Sequence, residues 1–484
     1  MEKIHVEKAN NVYVRVRTEP SIMMEMSEYF TFEVPGAKFM PAVRNKIWDG
    51  KVRLLNRMTG LIYAGLVPYI VKFGKDRDYD VTVDPVLIPS GKYLENTGYD
   101  LAKEFDTTYE PRDYQNEAVS HALHRKRALF LSPTASGKSF IIYLIARYHV
   151  ELGQKVLIVV PTTSLVSQMA SDFVEYNRDR PLDIHKIMSG ADKNVEADYT
   201  VTTWQSIYKL RKEWYEKFDV IIGDEAHLFK AKSLQSIMEK TPHIENRYGF
   251  TGTLDDSLTN KLVLEGVFGP VKQVTETKKL IDDGTLANFD IKALILSYPD
   301  SIRKSNKNMN YQEEIDWIVR NEARNKFIRN LAWKLEGNTL ILFQFVEKHG
   351  QVLAPMLEKE GKTVHFIHGG VKADDRENVR TIAESSTDNI ILASYGTFST
   401  GVNIKKLDNI IFASPSKSKI RNLQSIGRVL RKGNGKESAT LYDIVDDLSW
   451  KSNENFATRH FKERVKIYGE QGFDFRIYTI DIGE

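Results

Sequence analysis

The chain has 484 residues, of which 42% are apolar and 27% charged, a composition typical of a globular protein with about three domains. It contains no cysteine, which excludes disulfides, thiolate zinc sites, iron–sulfur clusters and a cysteine nucleophile. The net charge of +3 does not by itself indicate an acidic partner. The apolar stretches are too short to span a bilayer and the N-terminus lacks the apolar core of a secretory signal, so we expect a cytoplasmic protein.

Basic residues cluster in two segments. Residues 36–58 carry six basic residues against one acid, and residues 415–436 carry seven with no acid. Clustered positive charge in an otherwise balanced chain is typical of phosphate contacts with a nucleic acid. A solvated surface explains either cluster equally well on its own. Within the first cluster, the candidate phosphate contacts are Lys46, Lys51 and Arg53.

The N-terminal part predicts a small α+β domain over residues 1–85. Short alternating runs at 12–16 and 52–55 predict strands, and the stretch 21–29 predicts a helix. Residues 86–108 contain proline and glycine with weak periodicity, which predicts a linker.

The remainder predicts two α/β domains in tandem, over residues 109–285 and 286–450. In each, continuous apolar runs alternate with amphipathic segments of helical length, a pattern typical of a parallel sheet covered on both faces. A charged helix and a possible edge strand follow in a C-terminal tail, 451–484. The predicted strands are 128–131, 156–160, 199–202, 220–222 and 248–250 in the first domain, and 338–343, 363–367, 390–393, 409–413 and 439–444 in the second.

The first of these strands leads directly into a phosphate-loop pattern, residues 132–139, followed by a helix. Backbone N–H groups at such a turn point towards phosphates, Lys138 can reach the β- and γ-oxygens, and the Ser139 hydroxyl can bind magnesium. Ser132 stands where the pattern usually has glycine. The predicted nucleotide contacts are Pro133, Thr134, Ala135, Ser136, Gly137, Lys138 and Ser139.

Two further groups fit nucleotide hydrolysis. Asp224 and Glu225 end an apolar strand, where Asp224 would hold Mg²⁺ and Glu225 would deprotonate the attacking water; the alternative is an acidic helix N-terminus. Gln424, Arg428 and Arg431 have i, i+4, i+7 spacing, which places them on one helical face. That face could stabilise a γ-phosphate as an arginine finger does, or it could be a solvated basic face.

Together these motifs resemble superfamily 2 helicases of the DEAH type, across both α/β domains and in the expected order. The resemblance implies two RecA-like domains that bind ATP and Mg²⁺, with Gln115 reading adenine and Thr251-Gly252-Thr253 coupling hydrolysis to domain movement. It also adds Arg112 and Gly401 to the nucleotide contacts. Asn403 departs from the aspartate of many relatives, so no role is assigned to it. The implied strand contacts are Pro161, Thr162, Thr163, Thr203, Phe345 and Thr397.

More specifically, the chain resembles the UvsW family, the branch-migration and fork-regression DNA helicases of T4-like phages, to about residue 450. The N-terminal sequence Trp48-Asp49-Gly50-Lys51-Val52-Arg53-Leu54-Leu55 narrows the resemblance to this family. It implies forked, junction or displacement-loop DNA as the substrate, in phage replication, recombination and repair. We expect a monomer in the absence of DNA, in the host cell cytoplasm if the chain is phage-encoded.

Alternatives remain open at this point. The motifs do not distinguish DNA from RNA, because backbone contacts need not involve the 2′-hydroxyl, and they also fit a duplex translocase. A module that binds or anneals nucleic acid, with a regulatory nucleotide site, is a different class of protein. Phe39 and Trp48 lie among basic residues and could stack on bases, but we expect them to be buried in the small domain.

Overall fold

The computed structural model describes residues 3–34, 36–188, 190–254, 257–371, 373–401, 404, 406–414, 418, 426–427, 430 and 438–483. The chain forms two compact units. The first comprises residues 1–132 and 137–275, and the second comprises residues 276–484 together with the segment 133–136. Across the described ranges, no helix combines the length and the apolar character needed to cross a membrane.

The N-terminal part of the first unit is a mixed α+β structure, as predicted. Its four-stranded sheet has the order β5-β2-β1-β6, in which β1 pairs antiparallel with β2 and parallel with β6, and a second sheet joins β3 and β4. Its elements are β1 Lys3–Lys8, β2 Tyr13–Arg17, α1 Pro20–Tyr29, β3 Thr31–Glu33, α2 Pro41–Arg44, β4 Lys51–Arg53, β5 Leu61–Tyr63, α3 Val67–Lys75 and β6 Asp80–Val83.

The rest of the first unit is a seven-stranded parallel sheet with the order β13-β7-β12-β11-β8-β10-β9. Its strands consist largely of buried apolar residues, as expected for a sheet covered on both faces. Its elements are α4 Thr97–Glu104, α5 Asp113–Arg125, β7 Arg127–Leu131, α6 Lys138–Glu151, β8 Val156–Val160, α7 Thr163–Tyr176, β9 Ile184–Ile187, β10 Tyr199–Thr203, α8 Trp204–Ile207, β11 Val220–Asp224, α9 Lys232–Glu239, β12 Asn246–Thr251, α10 Leu258–Phe268 and β13 Val271–Gln273.

The second unit contains another seven-stranded parallel sheet, with the order β16-β17-β15-β18-β19-β14-β20. The predicted fold class, two tandem RecA-like domains and a small α+β domain, is confirmed. Its elements are α11 Thr277–Asp282, β14 Asn288–Ser297, α12 Asp300–Asn306, α13 Tyr311–Arg320, α14 Glu322–Lys334, β15 Thr339–Phe343, α15 Gln351–Leu357, β16 Thr363–Ile367, α16 Ala373–Ser385, β17 Asn389–Ser394, α17 Tyr395–Gly401, β18 Asn409–Phe412, β19 Ser438–Asp447, α18 Phe456–Glu470 and β20 Phe475–Asp481.

The predicted linker is more structured than its sequence suggests, whereas the C-terminal tail forms the helix and edge strand expected of it. The predicted linker contains α4, where Asn116 of α5 donates to the carbonyl of Glu95 and accepts from the Tyr99 amide. The C-terminal tail is part of the second sheet, because β20 pairs along β14 and α18 is held by an ion pair between Arg464 and the buried Asp443. Both segments owe their structure to contacts with residues distant in sequence.

The small α+β part shares its apolar core with the first parallel-sheet domain. A single cluster of buried side chains extends from Ile4 in β1 to Phe268 in α10. At the contact, Tyr63 and Tyr13 donate to Glu239 at 2.6 and 3.0 Å. Packing is so close that a Cβ on Gly65 would lie 1.9 Å from the carbonyl oxygen of Glu265. The two parts therefore form one continuous body.

Candidate active site

The loop between β7 and α6 has the backbone form of a phosphate-binding turn. Ala135 and Gly137 both have positive φ angles, 67° and 77°. The Ser132 amide donates to the carbonyl of Thr251 at 2.8 Å, which fixes the start of the loop to the end of β12. Because α6 begins at Lys138, the N-terminal end of its dipole lies at this loop, where an anion is favoured.

Lys138 joins this loop to the end of β11. Its Nζ lies 3.3 Å from Glu225 Oε1 and 3.7 Å from Asp224 Oδ1. The strands β7 and β11 run parallel in one sheet with β12 between them, so their carboxyl ends lie at the same edge. The structure thus brings together the lysine and both carboxylates that the sequence assigned to hydrolysis.

The two carboxylates differ in their tendency to hold a proton. Burial raises the pKa of Asp224, although Lys138 opposes the shift. Burial also acts to raise the pKa of Glu225, but the charge of Lys138 and the contact with His227 outweigh it, so the pKa of Glu225 falls below its usual range. Glu225 is therefore ionised at neutral pH, the state that a general base requires.

His227 connects the carboxylates to β12. Its Nδ1 lies 3.4 Å from Glu225 Oε2 and shares a 3.0 Å hydrogen bond with the Thr251 hydroxyl. That hydroxyl in turn donates to the carbonyl of Thr253 at 2.8 Å. No role was predicted for His227 from the sequence. The contact connects the end of β11 to the segment predicted to couple hydrolysis to movement.

The oxygens of Ser139 and Asp224 suit magnesium, which prefers hard oxygen ligands and one or two carboxylates besides substrate phosphates. Ser139 shares a 2.7 Å hydrogen bond with the hydroxyl of Tyr176, the last residue of α7. Nothing in the sequence pointed to Tyr176, because it lies 37 residues away and belongs to no motif. Tyr176 is therefore the hydrogen-bond partner of Ser139, a predicted metal ligand.

Arg112 and Gln115 lie at the start of α5, next to the phosphate loop. The Gln115 side chain accepts from the Arg112 amide at 2.9 Å, which closes the first turn of the helix. Its Nε2 is so close to the loop that a Cβ on Gly137 would approach to 2.3 Å. The Arg112 guanidinium donates to the Tyr114 hydroxyl. Contact of both residues with adenine stays a prediction.

The predicted strand contacts of the first unit lie at the carboxyl ends of β8 and β10, which are adjacent in the sheet. Thr162 caps α7 by accepting from the Leu165 amide, and Thr163 is exposed. The Gln205 side chain donates to the carbonyl of Pro161 at 3.4 Å, across the two strand ends. Thr203 is buried and its hydroxyl is engaged with Ser206, so it is less accessible than Thr163.

In the second unit, Phe345 follows β15 and is half-buried. Thr397, in the first turn of α17, is buried and shares a 2.8 Å hydrogen bond with the Ser394 hydroxyl. Gly401 is the last residue of the same helix. Gln424, Arg428 and Arg431 lie outside the described residues, so the predicted γ-phosphate contacts stay a prediction.

The basic N-terminal residues lie at an exposed end of the small α+β part. Lys46, Lys51 and Arg53 are all exposed. Arg53 forms an ion pair with Asp49, whereas Lys46 occupies a left-handed backbone position after α2 with φ of 56°. Phe39 is exposed, contrary to the expectation of burial, at the end of a 3₁₀ turn in the segment that connects β3 to β4. Trp48 is half-buried and donates from Nε1 to the Lys51 carbonyl.

Comparison with known proteins agrees with this arrangement. The chain is 35% identical to the ATP-dependent DNA helicase uvsW of Enterobacteria phage T4, over 97% of this chain and 98% of the relative. The chain belongs to the UvsW family of superfamily 2 helicases. Three family models match successive parts: the N-terminal model of DNA helicase UvsW at residues 3–84, the type III restriction enzyme res subunit at 108–256 and the helicase conserved C-terminal domain at 322–433.

Other relatives agree with membership of the UvsW family. The crystal structure of T4 UvsW matches with a TM-score of 0.52 and 33% identity, covering 99% of this chain and all of that chain. The DNA 3′-5′ translocase XPB2 of Sulfurisphaera tokodaii is 26% identical over 69% of this chain and 81% of the relative. As a member of the UvsW family, the protein is a helicase that uses a nucleotide and binds nucleic acid, and the predicted family assignment is confirmed.

Proposed function

We propose that the protein is an ATP-dependent DNA helicase that remodels branched DNA: junctions, forks and displacement loops. The observation that carries the hydrolysis step is the contact of Lys138 with Asp224 and Glu225 at the carboxyl edge of the first parallel sheet. Support for branched DNA comes from the N-terminal match to UvsW and from the exposed basic residues of that part. Its place is phage DNA replication, recombination and repair.

Each group of site residues has a proposed role in hydrolysis. The loop N–H groups and Lys138 hold the β- and γ-phosphates, while Ser139 and Asp224 hold the metal. Magnesium, when bound, neutralises charge on the phosphate oxygens. Glu225 is ionised and accepts the proton of the water that attacks the γ-phosphorus. Gln424, Arg428 and Arg431 supply the further positive and amide contacts that stabilise charge in the transition state.

Movement along DNA uses contacts that do not read sequence. Pro161, Thr162 and Thr163, with Thr203, lie at neighbouring strand ends, where polar groups can hold phosphates of one strand. Phe345 and Thr397 take the same part in the second unit. Phosphate contacts fix position on the strand without carrying sequence information, which suits an enzyme that acts on many junctions.

The experiment that tests this function is a comparison of substrates. Unwinding and ATP turnover are measured with a fork, a displacement loop, a four-way junction with homologous arms and a linear duplex, each as DNA and, where it can be made, as RNA. Faster processing of the branched DNA substrates is the expected result. Equal or greater activity on matched RNA would identify an RNA helicase, and turnover stimulated by linear duplex without strand separation would identify a duplex translocase.

The variant Lys138→Ala tests whether ATP hydrolysis takes place at the phosphate loop. We expect ATP turnover below about a tenth of the wild-type value, because the loss removes a charge that stabilises the transferred phosphoryl group. Lys126→Ala is the matched control, since Lys126 is a surface lysine paired with Glu245. Turnover by Lys138→Ala close to that of the control would contradict the assignment, and hydrolysis would then use another site.

A further inference from the structure

The segment between β3 and β4, residues 36–50, which we call the tip, carries strongly exposed apolar side chains. It connects β3 to β4 and contains a 3₁₀ turn at Ala37–Phe39 followed by α2. Its base is closed by the last ladder pair, Glu33 with Lys51, and by a hydrogen bond from the Val34 amide to the Gly50 carbonyl. The tip therefore stands on a two-stranded stem.

Two large apolar side chains of the tip are directed into solvent. Phe39 is 74% exposed and Ile47 is 80% exposed. A single exposed apolar side chain is common on protein surfaces and needs no explanation. Here two such side chains, one aromatic and one β-branched, lie in one 15-residue segment. Burial of either side chain within the protein would stabilise the fold, so their joint exposure indicates a binding surface.

The charges around these side chains favour a polyanion. Lys38, Arg44 and Lys46 are exposed on the tip and Lys51 follows it. The acidic residue of the tip, Asp49, forms an ion pair with Arg53, and that contact lowers the pKa of Asp49 to about 2. Asp49 is thus ionised but already paired. Lys38 lies over the Phe39 ring, with its Nζ 5.1 Å from the centroid, so a cation stands directly beside the aromatic side chain.

The tip is held in a defined orientation on the first parallel-sheet domain. Gly50 has φ of 78°, and a Cβ there would lie 3.0 Å from that of Ala37, so the two ends of the tip pack closely against each other. The stem continues into the core that the small part shares with α10, through Phe30 and Leu54. Movement of the first domain along DNA would consequently move Phe39 and Ile47 with it.

We propose that Phe39 and Ile47 form a wedge that inserts against the bases at the branch point of DNA, while Lys38, Arg44 and Lys46 hold the flanking phosphates. This inference rests on the proposed function and specifies how that function recognises a branch. Proteins that separate or kink base steps commonly insert apolar side chains, and an aromatic plane stacks on any base. Insertion at an already unpaired step needs the least unstacking, so the wedge favours branch points over uninterrupted duplex.

A fluorescent base tests the wedge without relying on ATP turnover. A four-way junction carrying 2-aminopurine at the branch point, and the same base within a linear duplex, are titrated with full-length protein in the absence of nucleotide. We expect the affinity for the branched DNA, read from the fluorescence titration, to fall about tenfold in Phe39→Ala/Ile47→Ala, the loss expected from removing one stacked base contact, and the fluorescence change at the branch to be lost. The salt dependence of binding should persist, because the cations remain.

Two further variants separate base contact from loss of folding. Phe39→Trp keeps an aromatic plane and should retain the fluorescence change. Leu152→Ala removes a side chain of similar exposure at the far end of α6, outside any assigned site, and should behave as wild type. A branch-point signal that is undiminished in the double variant, or equally reduced in Leu152→Ala, overturns the wedge.

The same samples distinguish this inference from the proposed function. If branched DNA fails to stimulate ATP turnover by the wild-type protein, the proposed function is wrong. If stimulation is present in the wild type and the double variant gives the full 2-aminopurine signal, only the wedge is wrong, and the tip would serve a different partner.

Discussion

At the scale of single residues, the contact between Ser139 and Tyr176 bears on how the metal is held. A serine hydroxyl that binds a cation through a lone pair must direct its proton elsewhere, and Tyr176 lies 2.7 Å away. Burial raises the pKa of Tyr176, so its hydroxyl stays neutral and can accept that proton in a hydrogen bond. Partners behind a metal ligand commonly fix its orientation and raise its affinity for the metal.

Tyr176→Phe should therefore weaken nucleotide affinity in the presence of Mg²⁺ by about tenfold, within the range found for partners of metal ligands. Affinity measured with excess EDTA should not change, because the phenylalanine keeps the aromatic packing. Tyr143→Phe is the matched control: Tyr143 packs against Tyr176 but donates to Asn177 rather than to Ser139. Equal losses with and without Mg²⁺ would show that Tyr176 supports the loop structurally and does not orient Ser139.

At the scale of elements, α6 carries both the loop lysine and a buried histidine that makes the first unit sensitive to acid. His149 lies near the end of α6, between Gln154 at 2.6 Å and the Tyr248 hydroxyl at 3.2 Å. Burial lowers its pKa to about 4. In the unfolded chain its pKa returns to about 6.5, so the unfolded state binds more protons below that pH.

This difference in pKa predicts that the contribution of His149 to the free energy of unfolding is fully present above pH 6.5. That contribution is lost as the pH falls towards 4. Between pH 7 and pH 5 the contribution of His149 to the free energy of unfolding should fall by about 2 kcal/mol. Denaturant titrations at the two pH values measure it. His149→Gln should lose this part of the pH dependence, while His5→Gln, at an exposed position, should keep it. An unchanged pH dependence in His149→Gln would contradict the burial argument.

The elements that the sequence predicts well are those determined by local pattern. The apolar runs ending at Leu131 and Val160 predict β7 and β8 to within a residue, because strands buried on both faces are continuously apolar. Helix α4 was missed since it is short, follows a segment rich in proline and glycine, and is stabilised by contact with α5. Phe39 was misplaced for the opposite reason: residue type favours burial, and only tertiary structure shows that it is exposed.

The residues of the candidate site likewise include some that the sequence predicts and one that it does not. Lys138, Asp224 and Glu225 were predictable, because their motifs follow strands of one parallel sheet and so meet at one edge. Tyr176 was not, since its contact with Ser139 depends on where α7 ends relative to α6.

The contact between α10 and the small N-terminal part gives a steric test of the shared core. Gly65 approaches the last turns of α10, where an added methyl group would lie 1.9 Å from the Glu265 carbonyl and 2.7 Å from that of Gly266. Gly65→Ala should lower the free energy of unfolding by about 2–3 kcal/mol, the usual cost of overpacking, and lower the melting temperature. Gly469→Ala, in α18 with no atom near its added methyl group, should be close to neutral. Equal melting temperatures for Gly65→Ala and Gly469→Ala would contradict close packing between Gly65 and α10.

At the scale of the whole molecule, the shared core limits how the N-terminal part can be removed. Deleting residues 1–85 would uncover the side of α10 on which Tyr63 contacts Gly266 and Gly65 approaches Glu265, within the common cluster. Exposed apolar area of that kind destabilises a domain and promotes aggregation. Loss of activity in such a deletion would therefore reflect damage to the first parallel-sheet domain as much as loss of DNA contacts.

Excising the tip alone avoids this damage. Glu33 and Lys51 are the final pair of the β3–β4 ladder, so residues 34–50 can be replaced by Asn-Gly, which forms the two-residue turn that antiparallel strands favour. The excision removes Lys38, Arg44 and Lys46 while leaving the core cluster intact. The melting temperature should consequently stay within a few degrees of the wild-type value, and this measurement is the control for folding.

If the three cations contact phosphates, the excision should reduce the slope of log affinity against log salt concentration by about 2–3 units for junction DNA, at about 0.9 per phosphate. Release of Arg53 from Asp49 sets the lower end of that range, because a freed guanidinium can make a new phosphate contact. Single-stranded DNA should show a smaller change, since its proposed strand contacts are at the neighbouring ends of β8 and β10. An excised protein that folds normally, keeps the wild-type salt slope and migrates junctions at the full rate would place branch recognition in the parallel-sheet domains instead.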